Sequence, residues 1–228
     1  MGAGGPGAVL HRDDEPGHRA AGLDAKKKTL SATERDEAAR DAWRERAATL
    51  DPADCVWVDE FGSHLGLTRT YARAPRGERA VGRAPRNRGA NRTTVTALTL
   101  DGLGPGLVLE GGASTRAFEV YVEAILAPTL RPGQIVVLDN LRQHQSARTR
   151  QLIAARGAEL WFLPAYSPDL NPIEEAFSKV KTLLRTAAAR THEELVAAIR
   201  AALAAITPAD AQGYLTHCGY PPPLAQAA

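Results

Sequence analysis

Two aspartates that directly follow short apolar runs are the residues best placed to do chemistry. Asp59 comes after Val56-Trp57-Val58, and Asp139 comes after Val136-Val137-Leu138. If these runs are neighbouring parallel strands, both carboxylates lie at the same edge of a sheet, where open α/β sheets place their sites. Two carboxylates in a partly buried site repel each other unless one is protonated or a cation lies between them, and Mg²⁺ is the usual cation for oxygen ligands. Taken singly, each aspartate is also typical of a turn that ends a strand.

A third candidate acid, Glu174, lies in the string Tyr166-Ser167-Pro168-Asp169-Leu170-Asn171-Pro172-Ile173-Glu174-Glu175. In one interpretation, Glu174 is the third residue of a helix and closes a capping box there. In the other, it completes a metal site, while Lys181 and Arg185 on the same polar helix face bind phosphates. Glu175 is the rival acid, but it lies about 100° further round the helix.

Three polar residues accompany the acids. Asn140 and Asn171 are expected to form hydrogen bonds to the metal ligands without binding the metal themselves. His144 has two interpretations, since it either lies near the metals and contacts a phosphate or caps the helix that follows it.

An arginine-rich stretch carries most of the positive charge. Eight arginines stand against the single acid Glu78, a local balance of +7 in a chain whose net charge is +2. A solvated loop or codon bias would explain the stretch, but guanidinium groups also suit phosphate oxygens, and interspersed Pro and Gly predict an exposed segment. A nucleic-acid partner is therefore expected. The arginines are Arg69, Arg73, Arg76, Arg79, Arg83, Arg86, Arg88 and Arg92.

The composition excludes several classes of protein. The 228 residues are 44% hydrophobic and 24% charged, as in ordinary globular proteins. Only Cys55 and Cys218 occur, so a disulfide framework or a cysteine-based zinc module is excluded. The apolar runs are too short for a membrane span, and the first residues do not resemble a secretion signal, so we expect a cytoplasmic, nucleoid-associated protein.

The patterns of apolar residues predict a three-layer α/β domain. We expect an antiparallel meander followed by parallel strands that right-handed crossovers connect, in a mixed five-stranded sheet with helices on both faces. The predicted strands are 55–59, 67–71, 93–100 with its hairpin partner 106–110, 134–139 and 158–163. The predicted helices are 31–50 with Ser31 as its cap, 114–126, 146–156, 171–185 and 191–206. The expected organisation is a disordered leader 1–25, a linking helix in 26–52, a catalytic domain 53–206 and a tail 207–228.

The motifs resemble the catalytic half of bacterial insertion-sequence transposases of the mariner superfamily, over roughly residues 26–206. The resemblance rests on four strings, namely Trp57-Val58-Asp59-Glu60, the run from Leu65 to Arg79, Leu138-Asp139-Asn140 with His144, and the run from Leu163 to Glu174. In addition, 34 residues separate Asp139 from Glu174, the spacing of one branch of that superfamily. The resemblance implies an RNase H-like domain in which Asp59, Asp139 and Glu174 form the acidic triad.

The resemblance also implies DNA phosphoryl transfer with two Mg²⁺ ions, for which Mn²⁺ can substitute. One ion would activate water or a DNA 3′-hydroxyl, and the other would stabilise the leaving oxygen. The partners would be double-stranded DNA and a second copy of the chain. Family members carry helix-turn-helix modules before this domain, but only 58 residues precede Asp59 and they lack a visible recognition helix. Either the module is on a separate or frameshift-fused polypeptide from an upstream reading frame, or the chain is a decayed remnant that is translated from an internal start. A non-catalytic DNA-binding remnant and an RNase H-like host nuclease are the alternatives.

Overall fold

A mixed β-sheet lies at the centre of the computed structural model, which describes residues 32–223. In the described residues the sheet has six strands, one more than predicted, which run in the order β3-β2-β1-β5-β6, with β4 also paired to β2. The β1–β2 pair is antiparallel, whereas β1–β5 and β5–β6 are parallel, so the predicted meander with parallel strands after it is confirmed. The strands are β1 (Cys55–Ser63), β2 (Arg92–Thr99), β3 (Gly102–Leu103), β4 (Leu107–Glu110), β5 (Ile135–Leu138) and β6 (Glu159–Phe162).

The register of the two central strands fixes where their acids emerge. Trp57 pairs with Val137, and the same offset of 80 residues places Asp59 at the level of Asp139. Both strands are covered on two faces, since nearly all of their residues are buried. The parallel pairing assumed for the two aspartates is therefore confirmed.

Helices cover both faces of the sheet. One hydrophobic cluster contains Trp57 and Phe61 of β1 together with residues of α1, α4, α5 and α6. The other contains Val56 and Val58 of the same strand with residues of α2 and α3. The helices are α1 (Glu37–Ala47), α2 (Thr115–Tyr121, continued by a π-helical turn Val122–Leu126), α3 (Ala147–Ala154), α4 (Pro172–Ala187), α5 (His192–Ala204) and α6 (Pro208–His217).

Side-chain caps account for most of the helix starts. Ser114, Ser146 and Thr191 cap α2, α3 and α5 through bonds to backbone N–H groups, as predicted for Ser114. The helix α1 begins at Glu37 with Asp36 as its cap. The predicted cap Ser31 and the predicted leader 1–25 lie outside the described residues.

The predicted strand 67–71 is wrong. Those residues belong to an irregular segment, residues 64–91, which we call the arginine loop. The carbonyl oxygens of Leu65 and Leu67 accept hydrogen bonds from the Arg190 guanidinium, at 2.9 and 3.0 Å, rather than from a neighbouring strand. The alternation of apolar and polar residues misled the prediction. A strand also needs a neighbour with a free edge, and β2 already pairs with β1 on that side.

The tail predicted after Ile206 is also wrong for residues 208–217, which form α6. Thr207 caps this helix and Asp210 closes a capping box, with Pro208 in the first turn. Ala211 and Leu215 bury the inner face of α6 in the same cluster as α4. Within residues 32–223, no helix is both long and apolar enough to span a membrane.

Candidate active site

Asp59 is the buried acid of the site. It is 7% exposed, and its Oδ1 and Oδ2 accept hydrogen bonds from the Glu60 backbone N–H at 2.7 Å and from the Asn171 side-chain amide at 2.8 Å. Burial, opposed by the hydrogen bond from the Glu60 N–H, and the charges of Asp139, Glu174 and Glu60 together raise the pKa of Asp59 to about 8. Without a cation, Asp59 is therefore largely protonated at neutral pH.

Asp139 follows β5 at the same edge of the sheet. Its Oδ1 accepts a hydrogen bond from the Leu141 backbone N–H at 3.1 Å and lies 2.5 Å from Nδ1 of His144. The side chain of Asp139 is 29% exposed, so it is more accessible to solvent than Asp59 is.

Glu174 lies in the first turn of α4 and is exposed. Asn171 occupies the capping position of this helix, but its side chain bonds to Asp59 and not to the helix backbone. The capping-box interpretation therefore lacks the hydrogen bond between the capping side chain of Asn171 and the helix backbone. Glu175 points elsewhere, because it pairs with Nδ1 of His217 at 2.9 Å.

One cavity of about 340 Å³ brings the three predicted acids together. Its lining also includes Asn140, Asn171 and the loop from Leu163 to Pro168. Within this loop, Tyr166 is 58% exposed and has a left-handed backbone, with φ of 55°. The cavity thus lies where the chain leaves β5 and β6 and enters α4.

The donor groups in this cavity fit a hard divalent cation. Among residues 32–223, no three His, Cys, Asp or Glu side chains are already gathered as a set of metal ligands. The cavity nevertheless offers three carboxylates and two amides, the oxygen donors that Mg²⁺ prefers. The raised pKa of Asp59 reflects burial first and then repulsion from Asp139 and Glu174, and a bound cation would relieve that repulsion.

His144 is buried beside the cavity and not within it. Its side chain is 0% exposed, and Nε2 lies 3.1 Å from Oε2 of Glu60 while Nδ1 faces Asp139. The capping interpretation is wrong because Ser146 caps α3, and two carboxylates already engage the ring nitrogens that a phosphate would need. Burial by itself would lower the pKa of His144, but the hydrogen bonds to Asp139 and Glu60 outweigh it and raise the pKa to about 9.

Glu60 is the site residue that the sequence analysis missed. Its two oxygens contact His144 and the side-chain amide of Gln143. Its position next to Asp59 could have indicated this role. Adjacent residues of a strand face opposite sides of a sheet, so Glu60 can support the site from the face that Asp59 does not occupy. By contrast, the side chain of Asn140 forms no hydrogen bond with Asp59, Asp139 or Glu174, and its oxygen accepts a hydrogen bond from Gln145.

Seven of the eight arginines project from the arginine loop, and every residue from 68 to 91 is exposed. Arg92 differs, because it belongs to β2 and pairs with Glu110 at 2.9 Å. Lys181 and Arg185 are half-buried on α4, on the helix that carries Glu174, and neither forms an ion pair with another described residue. The residues predicted to bind DNA therefore lie on the arginine loop, at the start of β2 and on one face of α4.

The fold matches solved structures of the Mos1 transposase. A Mos1 strand transfer complex aligns with a TM-score of 0.66 and 18% identity, over 88% of this chain and 63% of the Mos1 chain. A Mos1 paired-end complex with the left transposon end gives 0.66 and 18%, over 89% and 69%. The Mos1 catalytic domain with raltegravir and Mg gives 0.56 and 14%, over 83% and 90%.

These values show a shared fold, the RNase H-like fold of the Mos1 catalytic domain. This chain spans less than two thirds of the Mos1 chain in the strand transfer complex. Comparison with curated protein sequences finds no match.

Sequence comparison with protein families gives a match to the DDE superfamily endonuclease model over residues 54–196. The match begins just before β1 and ends within α5, so it contains Asp59, Asp139 and Glu174. Since it covers more than half of the chain, the protein belongs to the family of DDE superfamily endonucleases.

Proposed function

We propose that this chain is the catalytic domain of a DDE transposase that cuts DNA at the ends of a bacterial insertion sequence and joins the freed 3′ ends to target DNA. The observation that carries the proposal is the single cavity that Asp59, Asp139 and Glu174 line in a chain of this endonuclease family. The acids come from β1, from the end of β5 and from the start of α4, so only the folded domain assembles them.

Asp59, Asp139 and Glu174 would hold two divalent cations, Mg²⁺ or Mn²⁺. Mos1 structures with Mg and with Mn support this choice of ions. When bound, the cations activate a water or a 3′-hydroxyl and stabilise the leaving oxygen.

Other side chains around the acids would orient a metal ligand or bind DNA phosphates. Asn171 donates a hydrogen bond to Oδ2 of Asp59 and so fixes the buried carboxylate. Lys181 and Arg185 follow Glu174 by seven and eleven residues, or about 10 and 16 Å along α4. At these distances they would bind phosphates a few nucleotides away from the cleaved one and keep the DNA backbone along the helix.

The arginine loop would bind DNA through phosphate contacts. Its exposed guanidinium groups can each bind phosphate oxygens in a bidentate manner, and Arg88 holds the base of the loop through a bond from the Leu65 N–H to its carbonyl oxygen at 3.3 Å. Mos1 structures of a paired-end and a strand transfer complex support double-stranded DNA as the partner. Joining two DNA ends requires two active sites, so we propose a homodimer, with helix-turn-helix modules on a separate polypeptide.

A nicking assay tests the proposal. The full chain is incubated with supercoiled plasmid and with duplexes from the DNA that flanks its gene, in Mg²⁺, in Mn²⁺ or in EDTA. We expect metal-dependent nicking that falls by about 100-fold or more in Asp139→Ala and Glu174→Ala, since each removes a ligand that acts in the transition state. Glu175→Ala is the matched control, because Glu175 is the next residue of the same helix and pairs with His217.

Two results would count against the proposal. Equal nicking by the parent and by Asp139→Ala would show that the acids do not act in the reaction. A salt-sensitive shift of DNA in a gel, without cleavage in either metal, would instead favour a non-catalytic DNA-binding protein.

A further inference from the structure

The side chains of Asp139, His144 and Glu60 link β1 to the end of β5 beside the cavity. His144 lies between Asp139, which follows β5, and Glu60 of β1, with distances of 2.5 and 3.1 Å from its ring nitrogens to the two carboxylates. The paired residues of β1 and β5 run only as far as Trp57 and Val137. Beyond that point, side-chain hydrogen bonds take over the connection between the strands.

Glu60 belongs to the face of the sheet opposite to Asp59. It has the same strand parity as Val56 and Val58, which pack against α2 and α3. Its side chain is 17% exposed and also contacts the amide of Gln143. Glu60 is therefore held from two sides and does not line the cavity that Asp59 lines.

His144 has little freedom to turn. Its ring is fully buried and lies 4.3 Å, centroid to centroid, from the ring of Phe118. Both ring nitrogens face carboxylate oxygens, which only accept hydrogen bonds. Removal of Glu60 would leave a buried N–H without a partner, and the ring would lose the contact that fixes its orientation.

The contacts of Asp139 are unevenly shared between its two oxygens. Oδ1 accepts hydrogen bonds from the Leu141 N–H and from His144, whereas Oδ2 has no bond to a described residue. Because Asp139 lines the cavity, Oδ2 is the oxygen that remains for a ligand there. We propose that Glu60 and His144 are positioning residues that hold Asp139 with Oδ1 toward the protein and Oδ2 toward a divalent cation. This inference rests on the proposed function, in which Asp139 is a cation ligand.

The test measures Mn²⁺ affinity of the full chain without DNA, from the electron paramagnetic resonance signal of free Mn²⁺. An Asn side chain places its amide N–H near the position of the His Nδ1, whereas Gln places it near Nε2. His144→Asn therefore keeps a donor for Asp139, and His144→Gln keeps one for Glu60 alone. We expect about 10- to 100-fold weaker Mn²⁺ binding for His144→Gln and a clearly smaller loss for His144→Asn.

A double-mutant cycle tests whether Glu60 acts through His144. Glu60→Ala should weaken Mn²⁺ binding in the parent by several fold, but it should add little to His144→Asn, in which the link is already broken. Thermal unfolding of each variant shows whether the chain has folded. If a His144 variant does not fold, Glu60→Ala and Glu60→Gln decide the question, because Glu60→Gln keeps an acceptor for the ring and should bind Mn²⁺ better than Glu60→Ala does.

Equal Mn²⁺ affinity for folded His144→Gln, His144→Asn and the parent would overturn the inference, as would additive effects in the cycle. His217→Gln is the matched control, since His217 pairs with Glu175 away from the cavity. Failure of the proposed function has a different signature, because a chain that binds Mn²⁺ through Asp139 but cuts no DNA would refute the transposase proposal alone. A parent that binds Mn²⁺ no better than Asp139→Ala would overturn the cation site and this inference together.

Discussion

Replacement of the buried acid by its amide should stabilise the metal-free protein, and the gain should grow with pH. In Asp59→Asn, the amide removes a charge that burial and the neighbouring carboxylates disfavour. Asn171 can turn its own amide so that hydrogen bonding to position 59 continues. The variant therefore isolates the electrostatic part of the free energy of unfolding.

The raised pKa sets the size and the sign of this effect. Between pH 3.8 and about 8, the folded parent keeps a proton on Asp59 that the unfolded chain has lost, so its free energy of unfolding falls as pH rises. At about 1.4 kcal/mol per pH unit, the advantage of Asp59→Asn should increase by about 4 kcal/mol from pH 5 to pH 8 and then level off. The protonation of His144 contributes to the free energy of unfolding of both proteins, so it cancels in the difference between them.

Urea unfolding in EDTA at pH 5, 6.5, 8 and 9 measures the effect. The matched control is Glu45→Gln, an exposed acid-to-amide change on α1. A stability difference between Asp59→Asn and the parent that stays constant within about 1 kcal/mol over this range would refute the reasoning, because it would mean that Asp59 is already ionised at pH 5.

Three further substitutions test local contacts elsewhere in the fold by unfolding experiments. Ala188→Gly should raise the free energy of unfolding by about 1 kcal/mol, since Ala188 ends α4 with a left-handed φ of 49°; a loss of stability would contradict this account of the helix end. Gly102→Ala should lower it by more than about 2 kcal/mol, because the new Cβ would lie 2.3 Å from the Ile206 carbonyl oxygen at a φ of 110°; a neutral result would mean that the turn shifts freely. Arg40→Leu should lower it by about 1 to 3 kcal/mol, because the buried guanidinium donates two hydrogen bonds to Asp169 at 2.9 and 2.6 Å. In the same variant, the pKa of the Asp169 carboxylate, which Arg40 holds below its ordinary value, should rise in a carbon NMR titration, and an unchanged value would contradict the pairing.

The sequence predicted the elements that carry the acids because their signals are local. The apolar runs before Asp59 and Asp139 fill positions that are buried on both faces, which only central strands offer. Ser114 and Ser146 were readable as helix starts because a cap acts within one turn of its helix.

The contacts that the sequence did not predict are long-range ones. Glu60 meets His144 across 84 residues, and nothing near either residue indicates the other. The helix α6 was missed for another reason, since the Thr-Pro-Ala-Asp start at Thr207 is a capping signal that the prolines further on obscured. Strand 67–71 was predicted from alternation, but a strand also needs a free edge to pair with, and β2 already occupies that side of β1.

The arginine loop joins two strands that are themselves adjacent and antiparallel, so its two ends lie close together whatever its length. Doubling the length of such a connection destabilises a fold by only about 0.6 kcal/mol. Residues 68–91 are exposed throughout, so they can be replaced, shortened or recharged without repacking the interior. Under the proposed function, the affinity of this loop for DNA can therefore change in evolution without any change to the acids, and the whole loop can be exchanged between related chains.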